Sequence, residues 1–106
     1  MARSIRLLYR NVKGRNRYNF NWPPITKRSA VIITAAEWKA GADPYDATGR
    51  PHLGDANVYV TNIGPHDPEP HDGGVEFYLH ADARGPIVVQ VTVTVLDPVE
   101  DYIVAG

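Results

Sequence analysis

The 106-residue sequence contains no cysteine, and this absence removes several kinds of chemistry at once. Without thiols there are no disulfide bonds, no thiolate zinc or iron–sulfur sites and no cysteine nucleophile. The sequence also has no apolar run long enough to cross a membrane and no apolar stretch near its start that would mark a secretory signal. We therefore expect a cytoplasmic protein with no membrane partner.

Motifs that support catalysis are missing as well. Only two serines occur, Ser4 and Ser29, and neither lies in the G-x-S-x-G turn that exposes a hydrolase nucleophile. No P-loop or G-x-G-x-x-G pattern is present to bind phosphate, and no HExxH pair is present to bind zinc. A chain of this length builds one modest core rather than a deep cofactor cavity. We expect a protein that is not an enzyme and has no cofactor.

Charge is plentiful but very uneven along the chain, although the formal net charge is only −1. Residues 1–39 hold nine of the eleven Lys and Arg residues and only one of the twelve acidic residues. Residues 40–106 hold the other two basic residues and the other eleven acidic residues. Such an asymmetry between the two parts of a chain points to interactions, either with a partner or between the basic arm and the acidic surface of its own chain.

The basic first third interleaves its cations with aromatic residues. Positive charge and exposed rings together are what a surface for single-stranded nucleic acid requires. The alternative is that the rings belong to the core and the cations to a solvated face. The candidate binding residues are Arg6, Arg10, Lys13, Arg15, Arg17, Tyr18, Phe20 and Trp22.

The local pattern predicts how this first third is organised. Residues 4–10 alternate in a way that suits a strand, with a short amphipathic helix as the alternative. Residues 11–24 are rich in Asn, Gly and Pro, which predicts a loop or arm that ends in polyproline II conformation. The expected organisation is a basic strand or arm at 1–27 and a β-sandwich body at 28–106, within one domain.

Residues 34–41 depart from the strand pattern that surrounds them. The preceding residues 28–34 are apolar and β-branched, which is typical of a central strand. Thr34 and Glu37 then have the spacing of a helix capping box, and Gly41 stands where a C-cap glycine is expected. The sequence therefore predicts one short helical turn here.

Three later segments alternate clearly between apolar and polar residues: 57–62, 74–80 and 86–96. A period of two with Gly, Pro and Asp in the connections predicts antiparallel sheets with one face toward water. The residues 101–106 are expected to add a final edge strand. Many short strands in so few residues favour a β-sandwich.

The connection "GPHDPEPHDGG", residues 64–74, contains two His-Asp pairs. The simplest interpretation of residues 64–73 is a turn without a metal, because Pro, Gly and Asp are turn-forming residues. The weaker alternative is a metal site, since imidazole and carboxylate ligands suit zinc or manganese. Its ligands would come from His66, Asp67, Glu69, His71 and Asp72.

The apolar faces of 57–62 and 74–80 also predict a register for their hairpin. If those faces pack together, Asn57 lies opposite His80. At ~3.3 Å per residue, that position is roughly 17–20 Å from the turn. We therefore expect His80 to lie outside any metal site in the turn.

The segment "NVYVTNIG" (57–64), a polar turn and "GVEFYLHAD" (74–82) resemble CARDB-type immunoglobulin-like domains. In that family an alternating strand ends in Asn-x-Gly and the next strand reads Val-x-Phe-x-Leu. The resemblance covers residues 56–97 and leaves the basic first third without a counterpart. It implies a β-sandwich that serves in adhesion or as an accessory module and has no catalytic site.

The sequence thus predicts an all-β protein, a small antiparallel immunoglobulin-like β-sandwich with a basic N-terminal arm and one short helical turn. Its expected function is a non-catalytic interaction or assembly module that self-associates or binds a protein partner through its basic first third. One alternative is binding of single-stranded nucleic acid or another anion by the basic and aromatic arm, and a second is metal binding by the 64–73 turn. Assembly is favoured over nucleic acid because the sequence pI is near 6.4 and the acidic remainder repels phosphate.

Overall fold

The computed structural model describes residues 2–42, 48–68 and 73–106, and within these ranges the chain forms seven β-strands and no helix. They form two antiparallel sheets, which confirms the predicted all-β class. The strands are Arg3–Val12 (β1), Gly14–Asn21 (β2), Ser29–Lys39 (β3), Arg50–His52 (β4), Asn57–His66 (β5), Gly74–Asp82 (β6) and Ile87–Pro98 (β7).

The two sheets pack their apolar faces together. One has the strand order β1-β7-β3-β4 and the other the order β2-β6-β5. The three segments with the clearest alternation form β5, β6 and β7, as predicted. Alternate side chains of a strand point to opposite faces, so every second residue of β6 and β7 points into the core. These two strands supply most of the core residues. The core consists of Val12, Ile25, Ile33, Val75, Phe77, Leu79, Ala81, Val89, Val91, Val93 and Val95.

The first third of the chain is built into both sheets. The loop predicted over 11–24 is wrong for most of its length, because residues 14–21 form β2 and pair with β6. The chain passes from one sheet to the other around Lys13, between Asn11 with φ of 57° and Gly14 with φ of 68°. Glycine and asparagine tolerate this left-handed conformation better than other residues. The Asn and Gly that suggested a loop therefore mark only a sharp bend between two strands.

The helical turn predicted at 34–41 is also wrong. Strand β3 continues to Lys39, pairing with β7 as far as Glu37 and with β4 at its end. A capping box can stabilise only a helix that forms, and here the pairing of β3 on both of its sides overrides the local preference. Gly41 lies next to the side chain of Thr48, which an added Cβ at position 41 would meet.

The β5–β6 hairpin has a different register from the predicted one. Asn57 lies opposite Asp82 rather than His80, a shift of two residues. Because side chains alternate with a period of two, this shift leaves the same residues facing the core. Both strands extend beyond the predicted segments, and a bulge at Asn62, with φ of 56°, accommodates the change in pairing.

The residues after β7 do not form the expected edge strand. Strand β7 ends at Pro98, and the amide of Val99 donates a hydrogen bond to the carbonyl of Arg28 at 2.8 Å. Residues 101–106 are exposed and outside the sheets. Over the part of the chain that the structure describes, no helix is long and apolar enough to span a membrane.

Candidate functional site

Six of the nine cations in residues 1–39 lie on two edge strands or between them. Strand β1 is at the edge of the four-stranded sheet, and β2 is at the edge of the three-stranded sheet. Since only Lys13 joins the two strands, their cations lie along one side of the molecule. We call this set of exposed side chains the basic edge: Arg3, Arg6, Arg10, Lys13, Arg15 and Arg17.

The aromatic candidates face the other way. Tyr18, Phe20 and Trp22 are partly buried and pack against the core. The ring of Tyr18 stacks on that of Tyr9 with 4.1 Å between the centroids. Burial, and to a smaller extent the neighbouring Tyr18, raises the pKa of Tyr9 to about 12. Strand alternation therefore separates the predicted rings, which point inward, from the predicted cations, which point outward.

Two cations on β1 have no carboxylate partner among the described residues. The guanidinium of Arg3 lies over the ring of Trp22, 5.5 Å from its centroid. The Nε of Arg6 donates a long hydrogen bond of 3.4 Å to the hydroxyl of Thr92. Both arginines are exposed, so their positive charge is open to a carboxylate from a partner.

The cations on β2 are engaged within their own sheet. Arg17 donates from Nη2 and Nε to Oε2 of Glu76, at 2.5 and 3.2 Å. This hydrogen bond first, and the charge of Arg17 second, hold the pKa of Glu76 below its usual value. The guanidinium of Arg15 lies 3.9 Å from the centroid of the Tyr78 ring, a cation–π contact. On β2, Arg17 thus holds a carboxylate of its own sheet, whereas Arg3 and Arg6 on β1 have no carboxylate partner in the described ranges.

A second aromatic group, which sequence reasoning missed, lies on the outer face of the three-stranded sheet. Tyr59 stacks on His80 with 4.4 Å between ring centroids and an interplanar angle of 4°. The Nε2 atom of His80 lies 2.8 Å from the hydroxyl of Thr61. Tyr78 completes the group and connects it to Arg15. The alternation of apolar and polar residues in 57–62 and 74–80 places these rings on the outer face of the sheet. Only the pairing of β2 with β6 brings arginines beside them.

The 64–73 connection is shorter than predicted, because His66 is the last residue of β5. The Nε2 of His66 lies 2.7 Å from Oδ1 of Asn19, so this imidazole contacts β2. Asp67 accepts a hydrogen bond from the amide of Lys27 at 2.9 Å and forms an ion pair with its ammonium at 3.6 Å. The remaining proposed metal ligands, Glu69, His71 and Asp72, lie outside the described residues.

Carboxylates gather at one end of the molecule, in a groove of about 620 Å³ between the loops that precede β5 and β7. Glu37, Asp55 and Asp82 line it together with Arg84. Within residues 2–42, 48–68 and 73–106, no three His, Asp or Glu residues are arranged to hold a metal ion. The groove therefore brings three carboxylates and one guanidinium together.

The backbones of β1 and β2 are each paired on one side only, β1 with β7 and β2 with β6. An edge strand has a row of N–H and C=O groups that can pair with another strand. The remaining edge of the three-stranded sheet is β5, which is interrupted by the bulge at Asn62 and by Pro65. β1 and β2, the two strands of the basic edge, thus both offer backbone groups for pairing.

The chain matches no protein-family model, and neither curated proteins nor solved structures match it.

Proposed function

We propose that this protein is a non-catalytic assembly module that uses its basic edge to bind another copy of itself or a protein partner. The observation that carries the proposal is that β1 and β2, the two strands within residues 1–27, are both edge strands. Cationic side chains and unpaired backbone groups therefore occupy the same surface, which suits the addition of an acidic strand. No cofactor and no metal is part of the proposed function.

The surroundings of Arg3 and Arg6 favour a protein over nucleic acid as the partner. Binding of single-stranded nucleic acid depends on bases stacking on exposed rings beside the cations. On β1 the neighbouring rings are turned toward the core, where Tyr9 stacks on Tyr18. Arg3 and Arg6 retain their charge without a carboxylate partner in the described ranges, as an electrostatic contact with an acidic protein surface requires.

A second candidate function is supported by the outer face of the three-stranded sheet. There Tyr59, Tyr78 and His80 form an aromatic group with Arg15 beside it. Rings and a guanidinium on an open sheet are suited to stacking with the bases of a single-stranded nucleic acid. This face replaces the predicted set of Tyr18, Phe20 and Trp22 as the surface for that alternative.

The resemblance to CARDB-type domains is consistent with the proposal in its fold and in its general role. Seven strands in two antiparallel sheets are compatible with an immunoglobulin-like sandwich. Such modules serve in adhesion or as accessory domains, which agrees with a binding role and with the absence of catalytic motifs.

Analytical ultracentrifugation of the full chain tests the proposal. Deleting the first third would remove an edge strand from each sheet, so point substitutions are the better perturbation. The test variant is Arg3→Glu with Arg6→Glu, and the matched control is Arg84→Glu, an exposed arginine outside the basic edge. We expect the unaltered chain and the control to associate at about 0.1 M salt, and less at about 1 M, where the Debye length falls from about 10 Å to about 3 Å.

The variant that combines Arg3→Glu and Arg6→Glu should be a monomer at both salt concentrations. It should also fail to bind an acidic surface on a protein partner. If the unaltered chain is a monomer and retards single-stranded oligonucleotides, with loss of that binding in Tyr59→Ala, the second candidate is correct and the assembly proposal is wrong.

A further inference from the structure

The residues that follow β7 combine full exposure with a strand-forming composition. Tyr102, Ile103 and Val104 are 75%, 83% and 92% exposed. Aromatic and β-branched residues are common in strands, and a run of exposed apolar residues is typical of a surface that another chain covers. No other place in the described ranges exposes three large apolar residues in a row.

The 99–106 segment is held at its start and is outside the sheets beyond it. The guanidinium of Arg28 donates to the carbonyl of Val99 at 3.4 Å and lies over the ring of Tyr102, 5.4 Å from its centroid. Arg28 precedes β3, so these contacts keep the segment on the β3 side of β7. Its own β1 is on the opposite side of β7, and two strand spacings amount to roughly 10 Å. These contacts therefore hold the start of the segment beside Arg28 rather than beside its own β1.

Strand β1 is the edge best suited to receive such a segment. It pairs with β7 without interruption from Arg3 to Tyr9, which gives a regular edge. On its inner face Ile5, Leu7 and Tyr9 pack against the core but are only half-buried, because no strand lies beyond them. A strand added here would cover these side chains with its own apolar residues.

Charge favours β1 over β2 as the acceptor. Glu100 and Asp101 precede the apolar residues of the 99–106 segment. On β1, Arg3 and Arg6 have no carboxylate partner in the described ranges, whereas Arg17 on β2 already holds Glu76. Opposite charges across a strand pair are favourable, so the acidic segment should pair with β1.

We propose that the 99–106 segment of one copy adds as an edge strand to β1 of a second copy. This inference rests on the proposed assembly function and names both surfaces of the contact. Because donor and acceptor are different surfaces, the contact is head-to-tail and produces a closed ring or an open chain of subunits.

Substitutions in the segment test the inference on the full chain. The variant Ile103→Asp with Val104→Asp alters only exposed side chains, so its melting temperature should equal that of the unaltered protein. The matched control is Leu53→Asp, since Leu53 is 96% exposed and lies in the β4–β5 connection. The double variant should weaken self-association about tenfold or more, while the control should not change it. Self-association of the double variant at the level of the control would overturn the inference.

Cross-linking identifies the acceptor strand directly, because the natural chain has no cysteine. A mixture of Val104→Cys and Ser4→Cys chains should form a disulfide-linked heterodimer, since Ser4 is on β1. Asn21→Cys on β2 is the matched control and should form little heterodimer with Val104→Cys. Preferential linking to position 21 would show that the acceptor is β2 and would refute the assignment.

These experiments distinguish a failure of the segment–β1 contact from a failure of the proposed assembly function. If Arg3→Glu with Arg6→Glu dissociates the assembly but Ile103→Asp with Val104→Asp does not, the basic edge binds some other acidic surface, and only the inference is wrong. If the unaltered chain does not self-associate at all, both the inference and self-assembly are wrong.

Discussion

The substitution Tyr18→Ala tests whether the basic first third is part of the packed fold. Tyr18 lies on β2, packs against the core and stacks on Tyr9 with 4.1 Å between ring centroids. Its ring is also 6.0 Å from that of Phe77, a core residue of β6. In a detached basic arm these contacts would not exist, and removing the ring would leave the stability of the protein unchanged.

The expected loss of stability follows from these contacts. Replacing a buried aromatic residue by alanine typically costs about 3–5 kcal/mol. Tyr18 is only partly buried, so about 2–3 kcal/mol is the appropriate figure, of which the stacking with Tyr9 accounts for about 1 kcal/mol. With an unfolding entropy of about 2.1 cal/mol/K per residue, this loss lowers the melting temperature of a 106-residue domain by about 10 °C.

Thermal unfolding followed by far-ultraviolet circular dichroism measures this effect. The matched control is Leu53→Ala, because Leu53 is 96% exposed and its removal should change the free energy of unfolding by less than about 0.5 kcal/mol. If Tyr18→Ala melts at the same temperature as Leu53→Ala, then β2 is not packed on the core and the argument for the basic edge is refuted.

Three further predictions concern pH and backbone packing. In the folded state Arg17 lowers the pKa of Glu76, so the pair stabilises the fold above the ordinary glutamate pKa. This modest effect is lost as pH falls through the lowered pKa. An NMR titration of the Glu76 carboxyl should show a lowered midpoint, which should rise in the Arg17→Met variant. The pKa of Tyr9 is raised to about 12, so the free energy of unfolding should fall as pH rises from about 10 toward that value. In a titration followed by tyrosine absorbance, the transition at the highest pH should be absent in Tyr9→Phe. An unchanged titration would contradict the burial of Tyr9. Gly73→Ala places a Cβ against the carbonyl oxygen of Ile25, so urea unfolding should show a loss of about 1–3 kcal/mol in the free energy of unfolding. A neutral result would contradict this close packing.

Alternation was sufficient to predict the three strands of the later sequence. In β7, Val89, Val91, Val93 and Val95 are all buried, as a period of two requires. Each of these strands carries its own pattern, so its existence can be read without knowing its neighbours. Their pairing cannot be read in the same way, which is why the β5–β6 register was shifted by two residues.

The first third was harder to predict because its structure depends on distant partners. Residues 14–21 contain three asparagines and a glycine, which are poor strand formers, yet they pair along their whole length with β6. Likewise, Thr34 and Glu37 fit a capping box locally, but β4 and β7 hold them in a strand. In both cases contacts that are remote in sequence determined the conformation, and no local pattern contains them.

The sequence predicted which charged residues belong to the candidate site, but it did not predict where the aromatic residues lie relative to them. The cations Arg6 and Arg17 are exposed, as a binding surface requires, whereas Tyr18 belongs to the core. The sequence allowed the rings to be either a binding surface or part of the core. It could not decide between them, because the answer depends on which face of β2 points toward the core once β2 pairs with β6. The outer rings Tyr59 and His80 acquired a possible role only when β2 placed Arg15 in the same sheet.

The charges on β1 also bear on the kind of assembly the fold permits. Natural sheets protect exposed edges with charged side chains, since two like-charged edges repel each other. Arg3 and Arg6 should therefore oppose the pairing of β1 with β1 of another copy, which would give a symmetric dimer. The same arginines attract a strand that carries Glu100 and Asp101. A basic edge thus discourages symmetric pairing while leaving head-to-tail pairing open, so a symmetric β1–β1 contact is the arrangement this surface least supports.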